Sequence, residues 1–397
     1  MKPIPYGKQF ISPADVEAVT KALQSDYLTQ GPAIKGFEDA FARYVGVKYA
    51  VAVANGTAAL HLATLALGVG NGDKVITTPI SFSATANAIR YAGGEVVFAD
   101  INPSSLNLDV SAVRHLLRNS PPETFKGLIP VDFGGLPVNL EEFRNLAEEF
   151  GLWIIEDACH APGGYFFDSQ ARKSNCGSGQ YADLGIFSFH PVKHIAAGEG
   201  GMITTNDTGL YEKLLLLRTH GITRDSASFV NPVSVAAGTA DATTYPQWYM
   251  EMQDLGFNYR LTDIQAALAL SQLGRADQGL IRRHEIAKRY NEAFRGQHNV
   301  VHYDATVDLS GHAYHLYVVR VRERLKLYEW LRARNVLAQI HYIPIHYMPY
   351  YQSLGWKVGD FPVAEQYYKE CMSLPMYPTL TDDEQNYVIQ SILDFYA

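Results

Sequence analysis

The chain is poor in cysteine, in fixed charge of positive sign and in long apolar runs. Each scarcity excludes a class of protein. Three cysteines, Cys159, Cys176 and Cys371, are spread through 397 residues with no CxxC pair. That leaves neither a zinc ribbon nor a disulfide framework, and it fits a reducing compartment. A net charge of −8 argues against nucleic acid as a partner. No uninterrupted apolar stretch approaches the ~20 residues of a membrane helix. The first residues, Met1-Lys-Pro-Ile-Pro-Tyr-Gly7, lack the apolar core of a signal peptide, so the expectation is a cytoplasmic protein. Metal-ligand patterns are also missing. His341 and His346 have no acidic neighbour in sequence, which leaves them as structural or substrate-contacting histidines, and His284-Glu285 lacks the second histidine of a zincin. The glycines of Gly68-Val-Gly-Asn-Gly72 come after a helical stretch, which makes them a turn and not a dinucleotide fingerprint.

What remains is an ordinary globular composition, 47% hydrophobic and 19% charged, long enough for two domains. Short apolar runs at 49–54, 74–78, 95–100, 127–132, 153–157, 184–189 and 201–205 alternate with helical patterns such as 140–150. Continuous apolarity marks strands covered on both faces, and the alternation predicts an α/β domain with a mostly parallel seven-stranded sheet. Ser12 and Pro13 open a helix as cap and first residue. Thr262-Asp-Ile-Gln265 and Thr381-Asp-Asp-Glu384 are capping boxes. The first opens a helical stretch running to about 294, with a break near Gly274 or Gly279, and the division into domains is expected at 260/261. Residues 261–397 then read as a smaller α+β domain, with strands at 316–321 and 337–343 and helices at 325–334, 363–372 and 382–395. Residues 225–253, rich in Ser, Ala and Thr, read as a long loop.

Three segments carry chemistry. In the first, Gly185 to Met202, an apolar strand delivers Ser188, then Lys193, then a glycine run. A confined lysine of lowered pKa is a covalent catalyst toward aldehydes, and a hydroxyl five residues away can hold a phosphate; a surface lysine in a loop is the plain alternative. In the second, Asn55-Gly-Thr57 turns from a strand into a strong helix former at Ala58, which leaves free N–H groups at a positive dipole end. Many βα turns share that form. In the third, an apolar strand ends in Asp157 with His160 three residues on. A carboxylate there either caps a turn or meets a cation such as a pyridinium nitrogen.

Together with Gly198-Glu-Gly-Gly-Met202 and Gly256-Phe-Asn-Tyr-Arg-Leu261, these motifs stand in one order along nearly the whole chain. In that order the chain resembles the fold-type I, pyridoxal-phosphate-dependent aminotransferases that act on nucleotide-linked keto sugars. The resemblance implies amine transfer from L-glutamate to a UDP-linked 4-keto sugar, through pyridoxamine 5'-phosphate. It implies Lys193 as the covalent lysine and proton carrier, and Asp157 as partner of the ring nitrogen. Gly56, Thr57, Ala58 and Ser188 are expected at the phosphate, with Phe82 stacked on the ring and His160 beside it. Phe82 read alone is equally good core material. Asn258 is expected to reach the site of a second subunit, which makes the protein a homodimer with shared active sites.

Within the family the likeness is greatest to the members that form UDP-4-amino-4,6-dideoxy-N-acetyl-β-L-altrosamine for pseudaminic acid. It is carried by the segments 26–31, 76–87 and 337–345. That resemblance implies substrate contacts at Tyr6, Asp26, Tyr27, Leu28, Thr29 and Tyr314, His315, Leu316, Tyr317, with Gly56, Ser188 and Asn258. Residues 314–317 read equally well as half-buried strand. A related class of sugar dehydratases has histidine in place of the Schiff-base lysine, and His194 adjoins Lys193. A cofactor-binding regulator on the same scaffold is a further alternative, against which stands the lack of any helix-turn-helix or basic extension.

Overall fold

In the computed structural model, which describes residues 2–397, seven strands form the central sheet. They are β1 (Tyr49–Val53), β2 (Lys74–Thr77), β3 (Glu95–Phe98), β4 (Phe125–Ile129), β5 (Trp153–Asp157), β6 (Leu184–Ser188) and β7 (Gly201–Thr205). All seven were legible as apolar runs, because Val51, Ala52, Val53, Ile154 and Ile186 must be buried from both sides of the sheet. The order is β1-β7-β6-β5-β4-β2-β3. Every pairing is parallel except those of β7, which runs antiparallel to β1 and β6. That reversal matters for function. β6 and β7 are joined by residues 189–200, and the register Gly201↔Ser188 folds this loop over the ends of the strands. The carboxyl ends of β1, β5 and β6 therefore meet the 189–200 loop at one edge, the place where open α/β sheets bind ligands.

The capping boxes at Ser12, Thr262 and Thr381 all form, each with its reciprocal side-chain bond. The helical stretch after Thr262 is two helices, Asp263–Leu273 and Ala276–Ala293, broken at Gly274 and Arg275. Residues 225–253 carry some structure of their own: a short helix, Val233–Ala237, and a strand, Glu251–Met252, paired with Ile222–Thr223. Glu251 accepts the N–H groups of Val230 and Asn231, and Phe229, Tyr245 and Tyr249 pack ring on ring. Two further departures from expectation occur in the C-terminal third. The strand expected at 337–343 is only Val336–Leu337, paired with Ile4–Pro5, and then Gln339 bridges Ser373 before His341 and Tyr342 turn toward the sheet edge. The helix expected to reach 372 stops at Glu370, because Cys371–Leu374 pairs with Tyr317–Val321.

A second core gathers Tyr290, Tyr317, Val319, Leu327, Leu331 and Ile392. It also takes Ile4 from the N-terminus, while Tyr351 and Phe361 from the C-terminal third pack into the sheet's core beside Phe98. The two cores are thus interlocked in both directions across 260/261.

Candidate active site

A cavity of about 520 Å³ opens at this edge, lined by Gly56, Thr57, Asp157, Ser188 and Lys193 among others. The helix Gly56–Ala66 starts directly after β1, with Asn55 as its cap. Asn55 Oδ1 accepts the N–H of Ala58 at 2.8 Å, so that donor is already engaged. The N–H groups of Gly56 and Thr57 have no acceptor among the described residues and open on the cavity. Ser188 stands against Gly56: a Cβ built there would lie 2.9 Å from the Ser188 Cβ and 3.2 Å from its Oγ. Only glycine leaves two free amides and a hydroxyl side by side. This donor set, at the positive end of a helix, is chemically matched to a phosphate.

Asp157 ends β5 and is 4% exposed. Its Oδ2 accepts the Thr85 hydroxyl at 2.7 Å and its Oδ1 the N–H of Cys159 at 3.3 Å. Ser81 bonds Thr85 in turn, so a chain of hydroxyls fixes the carboxylate. Lys193 opens onto the cavity, and the protein around it is dense enough that burial lowers its ammonium pKa, against the pull of Cys159 and Asp157. His194, its neighbour, points elsewhere. It does not line the cavity, and its Nε2 lies 2.8 Å from the Ala313 carbonyl oxygen. Of the two neighbours, the lysine and not the histidine opens on the cavity.

His160 is buried, and burial followed by the charge of Lys193 drives its pKa well down, so the ring is neutral. The N–H of Gly134 donates to its Nδ1, and its Nε2 lies 3.3 Å from the Tyr342 hydroxyl. Phe82, far from being core, is 60% exposed on the cavity wall, tilted toward Tyr342 with ring centroids 6.4 Å apart.

The expected substrate contacts divide. Tyr6 and His315 line the cavity. Tyr314, Leu316 and Tyr317 are buried in the protein core, the Tyr317 hydroxyl donating to Asn291. Asp26, Tyr27, Leu28, Thr29 and Asn258 are exposed on the surface and contribute nothing to this chain's own cavity. Ala58 does not line it either. Sequence reasoning missed Ser81, Thr85, Cys159 and Tyr342 as cavity residues, while His341, read as a structural or substrate-contacting histidine, does line it. Thr85 and Tyr342 reach the site from a helix start and an irregular segment, neither of which has a periodic signature. Cys159 alone was within reach of the motif already read, two residues after Asp157.

Known proteins are similar to this chain over nearly its whole length. The spore coat polysaccharide biosynthesis protein SpsC of Bacillus subtilis (strain 168) is 38% identical, over 98% of this chain and 96% of its own. The UDP-4-amino-4,6-dideoxy-N-acetyl-beta-L-altrosamine transaminase of Campylobacter jejuni subsp. jejuni serotype O:23/36 (strain 81-176) is 34% identical, over 97% and 95%. Among solved structures, Helicobacter pylori PseC, an aminotransferase involved in the biosynthesis of pseudoaminic acid, superposes with a TM-score of 0.86 at 30% identity, covering 99% of each chain. The DegT/DnrJ/EryC1/StrS aminotransferase family matches residues 9–393, and the chain belongs to it.

Proposed function

We propose that the protein transfers the amino group of L-glutamate to carbon 4 of a UDP-linked 2-acetamido-2,6-dideoxy-4-keto hexose, with pyridoxal phosphate as cofactor. The observation that carries this reading is the meeting of a free helix N-terminus, a buried carboxylate and a lysine of lowered pKa around one cavity. When bound, the cofactor supplies an aldehyde carbon to take up the amine and a protonated ring to draw electrons from the donor. Gly56, Thr57 and Ser188 hold its phosphate. Asp157, fixed by Thr85, keeps the ring nitrogen protonated. Lys193 would hold the cofactor covalently and, as a free amine, would take and return the donor's proton, a task suited to an amine whose pKa is lowered by burial. Phe82 and neutral His160, which line the same cavity, would face the ring, and Tyr6 and His315 would meet the substrate.

We assign Asn258 and residues 26–29 to the site of a partner subunit in a two-fold dimer. Their exposure here, away from this chain's cavity, supports that assignment. The homologues named for the altrosamine sugar and for pseudoaminic acid support the substrate. A second reading, another nucleotide-linked keto sugar destined for a polysaccharide, is favoured by the higher identity of SpsC. Turnover of a panel of UDP- and dTDP-linked 4-keto sugars with glutamate decides between them. The L-arabino epimer of the UDP sugar should react fastest and its D-xylo epimer much more slowly, since a site paired with particular hydroxyls rejects an epimer strongly. Preference for the D-xylo epimer or for a dTDP sugar would overturn the first reading and leave sugar amine transfer standing.

A further inference from the structure

We propose that Glu156 and Asp132 share a single proton behind the sheet and that this hydrogen-bonded, singly charged pair is a positioning device for Asp157. The inference rests on the role given to Asp157, but its test does not depend on activity alone. Alternation along β5 puts Glu156 on the face opposite Asp157. There its carboxyl meets that of Asp132 and the thiol of Cys176, with ligand atoms all within 4.8 Å of one another. All three side chains are at most 2% exposed.

Apart from the weakly donating Cys176 thiol, too few donors reach this cluster to satisfy two ionised carboxyls. Asp132 Oδ1 accepts the N–H of Val138 at 2.9 Å, and Glu156 Oε2 accepts the N–H of Gly177 at 2.8 Å. Asp132 Oδ2 is buried without a partner. A proton on Glu156 supplies that partner, and it removes the repulsion that two adjacent buried carboxylates would suffer. Besides each other, the titratable groups acting on the pair are Cys176 and, on Asp132, Asp157; all are neutral or acidic, and none is a cation. Burial pushes Asp132 up to about 7 and Glu156 well above the usual carboxylate range, each reinforced by a neighbouring carboxylate.

The pair sits where it controls the active site. The N–H of Asp132 donates to the carbonyl of Asp157 at 3.1 Å, and the N–H of Asp157 donates to the carbonyl of Pro130 at 2.9 Å. Two residues after Asp132, the N–H of Gly134 donates to His160. Drawing the two carboxyls together thus clamps the ends of β4 and β5 and sets both Asp157 and His160. Ionising both would force the strand ends apart.

Three variants test this. Glu156→Gln copies the protonated acid, so turnover and cofactor occupancy should stay close to wild type. Glu156→Ala should fold, by far-ultraviolet circular dichroism, yet lose about a hundredfold in turnover, the scale set by a small misplacement of a catalytic group. The melting temperature of the cofactor-free protein provides the independent readout. A carboxyl whose pKa is raised in the folded state contributes stability that is complete below its ordinary value and is lost as pH rises through its folded one. The wild type should therefore lose stability from about pH 4 upward, through about pH 7 for Asp132 and further for Glu156, and Asp132→Asn/Glu156→Gln should lose clearly less. Equal slopes would overturn the shared proton. Glu156→Gln as damaged as Glu156→Ala would show that an ionised carboxylate is required, with the same consequence. A stoichiometric divalent metal lost in Glu156→Gln would also overturn it. If Asp157→Asn proves fully active while the slopes differ as expected, the proton pair stands and the role of Asp157 falls.

Discussion

Asp157→Asn should separate stability from function. In the wild type a carboxylate 4% exposed has one short donor, the Thr85 hydroxyl at 2.7 Å, and one poor one, the Cys159 N–H at 3.3 Å. An ionised carboxylate can accept about four bonds, so this one is under-satisfied until a cation arrives. Replacing it by a neutral amide of the same shape removes a desolvation cost of several kcal/mol while weakening a charge-assisted bond worth about 1.5–3 kcal/mol. The cofactor-free variant should melt no lower than wild type. Catalysis runs the other way. Losing a charged hydrogen bond of up to about 3 kcal/mol to the ring nitrogen, at about 1.4 kcal/mol per decade, slows turnover on the order of a hundredfold. The assay pairs steady-state turnover at verified cofactor occupancy with calorimetry of the cofactor-free protein. Turnover within about fivefold of wild type would refute the pairing of Asp157 with the ring, since the lost bond would then be worth less than about 1 kcal/mol.

Lys193→Ala should fold and retain no amine transfer; borohydride reduction and then peptide mapping should place the cofactor adduct on Lys193, and an adduct on any other lysine removes the assignment. Gly56→Ala sets a Cβ 2.9 Å from the Ser188 Cβ, which is anchored in the sheet and cannot swing away, so overpacking of about 1–3 kcal/mol should weaken cofactor affinity roughly tenfold or more in a fluorescence titration; unchanged affinity would mean that the phosphate lies elsewhere. Mixing Lys193→Ala subunits with Asn258→Asp subunits should restore part of the activity that each lacks, because one site of a mixed dimer then carries both defects and the other neither; proven heterodimers without recovery would remove Asn258 from the shared site.

How much of the fold and site was legible depends on the kind of signal. The seven strands of the sheet were readable because burial on both faces leaves few alternatives to Val, Ile, Ala and Phe. The helix starts at Ser12, Thr262 and Thr381 were readable because a cap is a local contract between residues three apart. Val336–Leu337 was over-extended in sequence because an apolar segment facing a cavity and one inside a ladder look alike: Ala338, Ile340 and Tyr342 alternate as a strand would, yet the pairing ends at the Gln339 bridge. Whether an aromatic lines a site or fills a core is likewise invisible to pattern, which is why Phe82 and Tyr314 both read as site residue or packing in sequence; one is 60% exposed on the cavity and the other 4%.

The same limit explains why Asp157 was found and Glu156 passed over. A strand's alternation sends adjacent residues to opposite faces, so Glu156-Asp157 is two unrelated sites in one dipeptide. The face of Asp157 is marked by its near neighbours in the chain, Cys159 and His160, which turn back over the same edge. The face of Glu156 is defined by partners 24 residues upstream and 20 downstream, Asp132 and Cys176, and no local spacing connects them. A pair of variants separates a folding role from a positioning one. If the cluster behind the sheet served folding alone, Glu156→Gln and Glu156→Leu, matched in size and both uncharged, would be equally active once folded. If it sets Asp157 through a hydrogen bond to Asp132, the glutamine should work and the leucine should not, because only the amide can donate to the orphaned Oδ2.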